Sequence, residues 1–520
     1  MTTQRRDILK YTLAAAAASA LPAAHAQAPS GASAGAAATG IDPRDRVFIT
    51  NEDSNTLVVI DPKTNTVEST INLTSFDEDP RPPFRYVTAG VAPTHAAMIH
   101  KPLYHGCIDA HGAVPSPDGR FIAYTGYDST DATWKDAIMY VMDADGKNAR
   151  ALTEKLDRSP SGMIWASDAS GVYFNVENEG SRNLYFVSLK GAIRQVTKGT
   201  HVLTVSDINR NFMAVGVATS PMKPNDIVTF DVRTLAMEQL TDVNADVLAG
   251  KQLATTEEVW YTSVDGQRIQ GWIVKPAGFD AKKKYPLMLE IHGGPHSMYN
   301  VGFNFARQDH ASNGFVMLYT NPRGSTGYGS AFGNAIKNAY PGKDYNDLMA
   351  GVDTVINRGF VDSNRLYVFG CSGGGVLTAW TVGHTDRFAA AASQCPVINW
   401  LSFVGTTDGS SWYYNFAKYP WDDPSEHLKR SPLMYVGNVK TPTMLMTGVN
   451  DLRTPIGQTE EFYEALKIRK VPTAMIRFNN EWHGTSSTPS NFIRTQLYLR
   501  SWFDTYQTPP KGQRVTPNQQ

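Results

Sequence analysis

One short stretch limits the fold more than anything else in these 520 residues: Gly370-Cys371-Ser372-Gly373-Gly374-Gly375. An apolar run, Leu366-Tyr367-Val368-Phe369, precedes it, and Val376-Leu377-Thr378-Ala379-Trp380 follows. Strand, Gly-x-Ser-x-Gly, helix is the context of a nucleophile elbow, a sharp turn that holds a serine hydroxyl above a sheet. Such a turn strains the serine backbone and leaves no room for flanking side chains, so it needs glycine around it. The alternative is a glycine-rich loop with an uninvolved serine, and the rest of the chain decides between the two.

From Glu257 onward, apolar runs alternate with longer amphipathic stretches. A hairpin comes first, Val259-Trp260-Tyr261-Thr262 and Ile269 to Val274 about a turn at Asp265-Gly266. Runs at 287–291, 315–319, 366–369, 388–392, 444–446 and 474–478 predict buried parallel strands with crossover helices. Helical spacing is expected over 344–358, 456–470 and 492–506. Chemistry-bearing residues follow these runs, where an open α/β sheet places its sites. His292-Gly293-Gly294-Pro295 follows the first, Ser372 a later one, Asp451 the run at 444–446, and His483 the last. Ser, then Asp, then His is the chain order of an α/β-hydrolase triad. Glycines after His292 let backbone N–H groups approach an oxyanion.

Residues 41–250 read differently. Short strands broken by Asn, Asp, Gly and Pro suggest antiparallel meanders. Ala151-Leu152-Thr153, Gln195-Val196-Thr197 and Gln239-Leu240-Thr241 recur with 44 residues between equivalent threonines. A period of about 40–45 with several strands per unit predicts β-propeller blades. The span holds about 4 to 5 such units. Residues 75–111 fit the pattern poorly. His95, His100, His105 and His111 fall there, at spacings that match no standard metal-ligand set, and are expected as ordinary loop histidines.

The first 26 residues are expected to be an export signal. Arg5-Arg6 precede a mild Ala-rich apolar region, and Ala24-His25-Ala26 offers a cleavage site, a pattern of the twin-arginine type. Residues 27–40 and 511–520 are expected to be a disordered leader and tail. A periplasmic or secreted protein with no membrane anchor after cleavage follows. The net charge of −1, with no long basic run, gives no support for nucleic-acid binding. Cys107, Cys371 and Cys395 are too few for a disulfide framework. Cys371 is expected as a buried, inert thiol, with a Cys371–Cys395 bridge left open.

As a set, several stretches resemble the prolyl oligopeptidase family of serine peptidases, nearest its acylaminoacyl-peptidase branch. They are HGGPHSMY from His292, TNPRGSTGYG from Thr320, GKDYNDLMAGVD from Gly342, GHTDRF from Gly383, SPLMYVGNVKTPTMLMTGVNDLRTPIGQ from Ser431, and EWHG around His483. The resemblance implies a β-propeller followed by an α/β-hydrolase domain over 251–510, acting on short peptides or acyl-peptides. It implies Ser372 as nucleophile, His483 as base, Asp451 as its partner, backbone N–H groups of Gly373 and Gly294 at the oxyanion, and no metal or cofactor. Two features depart from the family pattern. The propeller is short of the usual seven blades, which points to an open ring or to a homo-oligomer that closes it. Gly373 stands where a larger residue, often Tyr, follows the nucleophile. In some branches a Tyr side chain completes the oxyanion hole; His292 occupies the matching position here. Two other readings stay open: an esterase or small-amide hydrolase with the same triad, and a propeller binding protein with an inactive hydrolase domain.

Overall fold

A computed structural model describes residues 47–51, 56–61, 66–72, 113–127 and 132–507. The expected export signal, leader and tail lie outside the described residues, as do the four histidines between 95 and 111 and Cys107.

Up to residue 240 the described elements are antiparallel meanders. Val47–Asn51, Thr56–Asp61 and Thr66–Asn72 form a three-stranded sheet. Ala113–Pro115, Phe121–Gly126, Ile138–Asp143 and Arg150–Ala151 form a four-stranded one. Two further four-strand meanders run over 160–195 and 202–239, joined through one parallel pair, Arg182 with Val202. The 44-residue repeat has a physical basis. In each unit the recurring threonine uses its hydroxyl oxygen to accept an N–H from the third strand. Met139 N donates to Thr153 Oγ1, Leu184 N to Thr197 Oγ1, and Ile227 N to Thr241 Oγ1, at 2.8–2.9 Å. The repeated Thr thus closes each meander beyond its short last strand.

Consecutive meanders stack face to face. Ala123, Met139 and Val141 of the second pack with Trp165, Val172 and Phe174 of the third. Tyr173 and Leu184 on the opposite face of the third pack with Leu203, Ala214, Val228 and Phe230 of the fourth. The outer face of the fourth is open. Val217 pairs with Ile227 across the strands, Leu240 N donates to Ile227 O, and all three side chains are exposed.

The second half is one eight-stranded sheet. Its strands are β1 (Thr255–Thr262), β2 (Arg268–Lys275), β3 (Tyr285–Ile291), β4 (Val316–Asn321), β5 (Val361–Cys371), β6 (Ala390–Gln394), β7 (Thr443–Gly448) and β8 (Thr473–Phe478). They lie in the order β1-β2-β4-β3-β5-β6-β7-β8, parallel from β4 to β8. Helices α1 (Phe305–Ser312), α2 (Lys343–Ile356), α3 (Gly373–His384), α4 (Ile456–Ile468) and α5 (Pro489–Thr505) cover both faces. Leu287, Leu289, Leu318 and Val368 meet Leu348 and Val352 of α2, Leu377 of α3 and Phe462 of α4. The alternate residues Met288, Met317, Tyr367 and Met444 meet Ala311 of α1 and Leu499 and Phe503 of α5. This two-sided burial explains the unbroken apolar runs in the sequence, and the strand order is that of an α/β-hydrolase. Helix α5 starts three residues earlier than its apolar spacing suggests. Thr488 caps it by accepting Asn491 N, and Pro489 takes the first position, where no N–H is needed.

Candidate active site

Ser372 sits at the turn between β5 and α3 with φ 60° and ψ −120°. A non-glycine residue pays about 1–3 kcal/mol for such backbone. The surroundings enforce it. Ser372 N donates to Gln394 O at the end of β6, at 2.9 Å, and a Cβ on Gly374 would lie 2.0 Å from Ile291 O. Only a bare backbone lets α3 begin this close to β3.

The loops after β7 and β8 bring in the other two groups. His483 Nε2 lies 2.9 Å from Ser372 Oγ. His483 Nδ1 lies 2.9 Å from Asp451 Oδ2 and 3.1 Å from Oδ1. Asp451 is buried and also accepts Thr454 N and Thr454 Oγ1, each at 2.9 Å. The two loops are stitched by Asn450 N donating to Glu481 O. Buried Glu481 in turn accepts Ser487 N and Asn491 Nδ2. Burial pulls the His483 pKa down, but the hydrogen bond and charge of Asp451 outweigh it, and the net shift is upward from the ordinary imidazole value. The arrangement lets Asp451 hold Nδ1–H and leaves Nε2 to take a proton from Ser372.

The stretch after β3 forms the opposite wall. His292 does not point at Ser372. It is buried, with Nδ1 at 2.6 Å from Gly293 O and Nε2 at 2.9 Å from Ser325 Oγ. Burial lowers its pKa to about 4, so the ring is neutral and Nδ1–H donates to Gly293 O. The C=O and N–H of a trans peptide point in opposite directions, so this bond turns the N–H of Gly294 away from His292. Gly373 opens α3, where an N–H has no partner inside the helix, and its missing side chain lets the Gly294 backbone approach. A Cβ on Gly373 would meet Gly294 N, C and O at 3.0 Å. Of the five residues singled out in the sequence, Ser372, His483, Gly373 and Gly294 line one cavity, and Asp451 holds His483 from behind.

Beside them lies a cavity of about 440 Å³. Tyr340, Val376, Val397, Trp400, Phe403 and Trp412 give it an apolar wall, with Arg453 and Thr454 at its polar side. The tryptophan is firmly seated: Trp400 N donates to Ser431 Oγ at 2.9 Å and Trp400 Nε1 to Arg430 O at 3.0 Å. Arg453 pairs with Asp408.

Cys371 differs from expectation. It lines the cavity and is only half-buried, rather than sealed in the core. Cys371 and Cys395 are both free. A hydrogen bond from Cys395, helped by nearby His483, lowers the Cys371 pKa, while the same contact and burial push Cys395 well up. Sequence reasoning missed Thr454 and the aromatic wall. Thr454 had a local signal, a threonine three residues after an aspartate, which favours side-chain-to-backbone bonding. Trp400, Phe403 and Trp412 come from a stretch without strand or helix periodicity, where only aromatic density marked them.

Residues 301–508 match the model of the prolyl oligopeptidase family. An uncharacterized peptidase, YuxL, of Bacillus subtilis is 36% identical over 349 residues, 66% of this chain and 53% of its own length. A dipeptidyl-peptidase 5 of Porphyromonas gingivalis is 28% identical over 400 residues, 75% of this chain and 58% of its own length. A solved acylaminoacyl peptidase in complex with Z-Gly-Gly-Phe-chloromethyl ketone is 25% identical with a TM-score of 0.70, covering 78% of this chain and 64% of that one. The chain thus spans between half and three fifths of the length of the two curated relatives.

Proposed function

We propose, on the match of residues 301–508 to the prolyl oligopeptidase family, that the chain is a serine hydrolase cleaving short peptides or acyl-peptides. The observation that carries this is the unbroken hydrogen-bonded line Asp451–His483–Ser372 beside an apolar cavity.

Ser372 Oγ attacks the acyl carbon while His483 Nε2 takes its proton. Asp451 keeps the imidazole in the Nδ1–H tautomer and stabilises the imidazolium. The N–H groups of Gly373 and Gly294 receive the oxyanion. His483 then gives its proton to the leaving amine. Water, deprotonated by the same imidazole, releases the acid from Ser372. No step calls for a metal or organic cofactor. The wall of Trp400, Phe403 and Trp412 favours an apolar side chain on the acyl residue.

The direct test is labelling with a fluorophosphonate. The parent protein labels at Ser372, and Ser372→Ala does not. A parent that fails to label is the inactive hydrolase domain of the competing reading. Z-Gly-Gly-Phe-chloromethyl ketone, the compound bound in the solved neighbour, is expected to inactivate through His483, since its phenylalanine suits the cavity. An esterase would use the same groups. Turnover on a matched ester and amide separates the two, and a peptidase cuts N-acylated peptides at rates useful against its ester rate.

We read the strand half as a shortened β-propeller of about 4 to 5 blades, supported by the stacked meanders and the 44-residue repeat. Its role is to admit short peptides and spare folded proteins, with a homo-oligomer closing the open side. Sedimentation at several concentrations and digestion of a folded protein test these two points. Export through a twin-arginine route is proposed from residues 1–26. N-terminal sequencing of protein from the native host should find a start near Gln27 in the periplasm, and an intact Met1 in the membrane fraction would contradict it.

A further inference from the structure

The loop from Gly293 to Ser297 has little internal support. Among the described residues its one internal backbone bond is Ser297 N to Pro295 O. Apart from the His292 bond to Gly293 O at its start, what packs on it sets its shape. On one side is the segment 322–329 of the α/β half. His296 Nδ1–H donates to Gly324 O at 2.9 Å, and Thr326 N donates to Ser297 O at 2.9 Å. On the other side the strand half reaches across. The indole of Trp134 stacks on the His296 ring, with centroids 5.2 Å apart and planes 28° from parallel.

Trp134 is itself held. Thr133 N and Thr133 Oγ1 donate to Asn334 Oδ1 at 2.8 and 3.1 Å. Asp136 N donates to Ser330 Oγ at 3.1 Å. A Cβ on Gly333 would sit 2.2 Å from Trp134 Cδ1, so the indole lies against bare backbone. The same strand half grips the neighbouring segments at a second point. Glu179 N donates to Gly327 O at 3.1 Å, and Val301 N donates to Gly180 O at 2.9 Å. His296 is two residues beyond Gly294; burial pulls its ring pKa down, and the near-parallel planes make this a packing contact between flat rings.

We propose that Trp134 is a positioning residue for the oxyanion site: through its stack on His296, the strand half fixes where the Gly294 N–H points. The proposal rests on the serine-hydrolase reading for its catalytic consequence. It gives the strand half a part in catalysis beyond selecting substrates by size. Simple interface filling would also place an indole here, but it would change stability alone.

The experiment compares the full chain with Trp134→Ala and Trp134→Phe. Misplacing one oxyanion donor by about an ångström is expected to lower kcat by roughly 10- to 100-fold on an acyl ester. KM should stay within about twofold, because ground-state binding in the aromatic cavity does not use this donor. Trp134→Phe, which keeps a stacking ring, should recover most of the loss. Hydrogen exchange of peptides spanning 292–298 should quicken in Trp134→Ala while β5 peptides stay unchanged. A kcat within about twofold of the parent in folded Trp134→Ala, or unaltered exchange at 292–298, overturns the proposal. If Trp134→Ala does not fold, Asn334→Ala releases Thr133 and keeps the indole. It should shift both readouts the same way, and unchanged values there also overturn it. A parent without turnover would sink the hydrolase reading, and the exchange measurement would still judge the brace.

Discussion

Strands β4 and β7 bury every residue along their length, whereas in the fourth meander Met213, Val215 and Val217 alternate toward solvent. Both regions are β-structure in one chain. Helices cover the α/β sheet on both faces, so the side chains of its central strands are buried whichever face they point to. The meanders stack on one another and touch the α/β half at Trp134 and Gly180, and the last shows a row of exposed apolar side chains on its outer face. The lesson is one of roles. A two-sided core can hold Ser372 at a strained φ and set three loops to hydrogen-bonding distance. Among the described residues, the stack of repeats lines none of the cavity beside Ser372 and bears on it through Trp134, packed on the loop that carries Gly294.

The sharpest way to break this division is Ser372→Ala. It should cost turnover on the order of a million-fold and leave melting unchanged; residual near-parent activity would move the chemistry to Cys371 or out of the α/β half altogether. Asp451→Asn should cost about ten-thousand-fold and also tests the pH behaviour. Activity needs neutral His483, whose pKa lies above the ordinary 6.5 because of Asp451. The acid limb of kcat/KM should therefore fall above pH 6.5 in the parent and move to lower pH in the variant, and a limb unmoved by the substitution would contradict the assignment. On stability, Leu289→Ala, fully buried in β3, should cost about 2–5 kcal/mol by denaturant unfolding. Ile227→Thr, on the open meander face, should stay within about 0.5 kcal/mol. Equal costs for the last two would erase the contrast between the halves.

Much of this was legible before any coordinates. Thr153, Thr197 and Thr241 repeat in the sequence because each closes its meander with the same hydrogen bond. Ser372, Asp451 and His483 could be picked out because each follows an apolar run, and parallel strands put such loops at one edge. Strand order was not legible: alternation counts strands but does not say that β4 lies between β2 and β3. Nor was the aromatic wall, since Trp400 opens a one-turn α-helix and Trp412 lies in a 3-10 segment, both too short to show a periodicity. Cys371 was misjudged because it follows the apolar run Leu366 to Phe369, while the elbow that presents Ser372 also opens the residue before it to the cavity. The contact of Trp134 with His296 joins residues 162 positions apart and leaves no local trace.

The exposed row Val217, Ile227 and Leu240 bears on how the protein behaves as a colloid. The formal net charge is −1 at pH 7 for all 520 residues and only −3 once residues 1–26, with Arg5, Arg6, Lys10 and Asp7, are gone; two copies repel weakly, and little electrostatic force keeps these rows apart when molecules collide. Concentrated solutions should therefore cloud most readily near neutrality, and added salt should do little to provoke or prevent it. Shifting the buffer by about two pH units should clear them, as should a glutamate at position 227, which charges the row and takes the chain further from zero net charge.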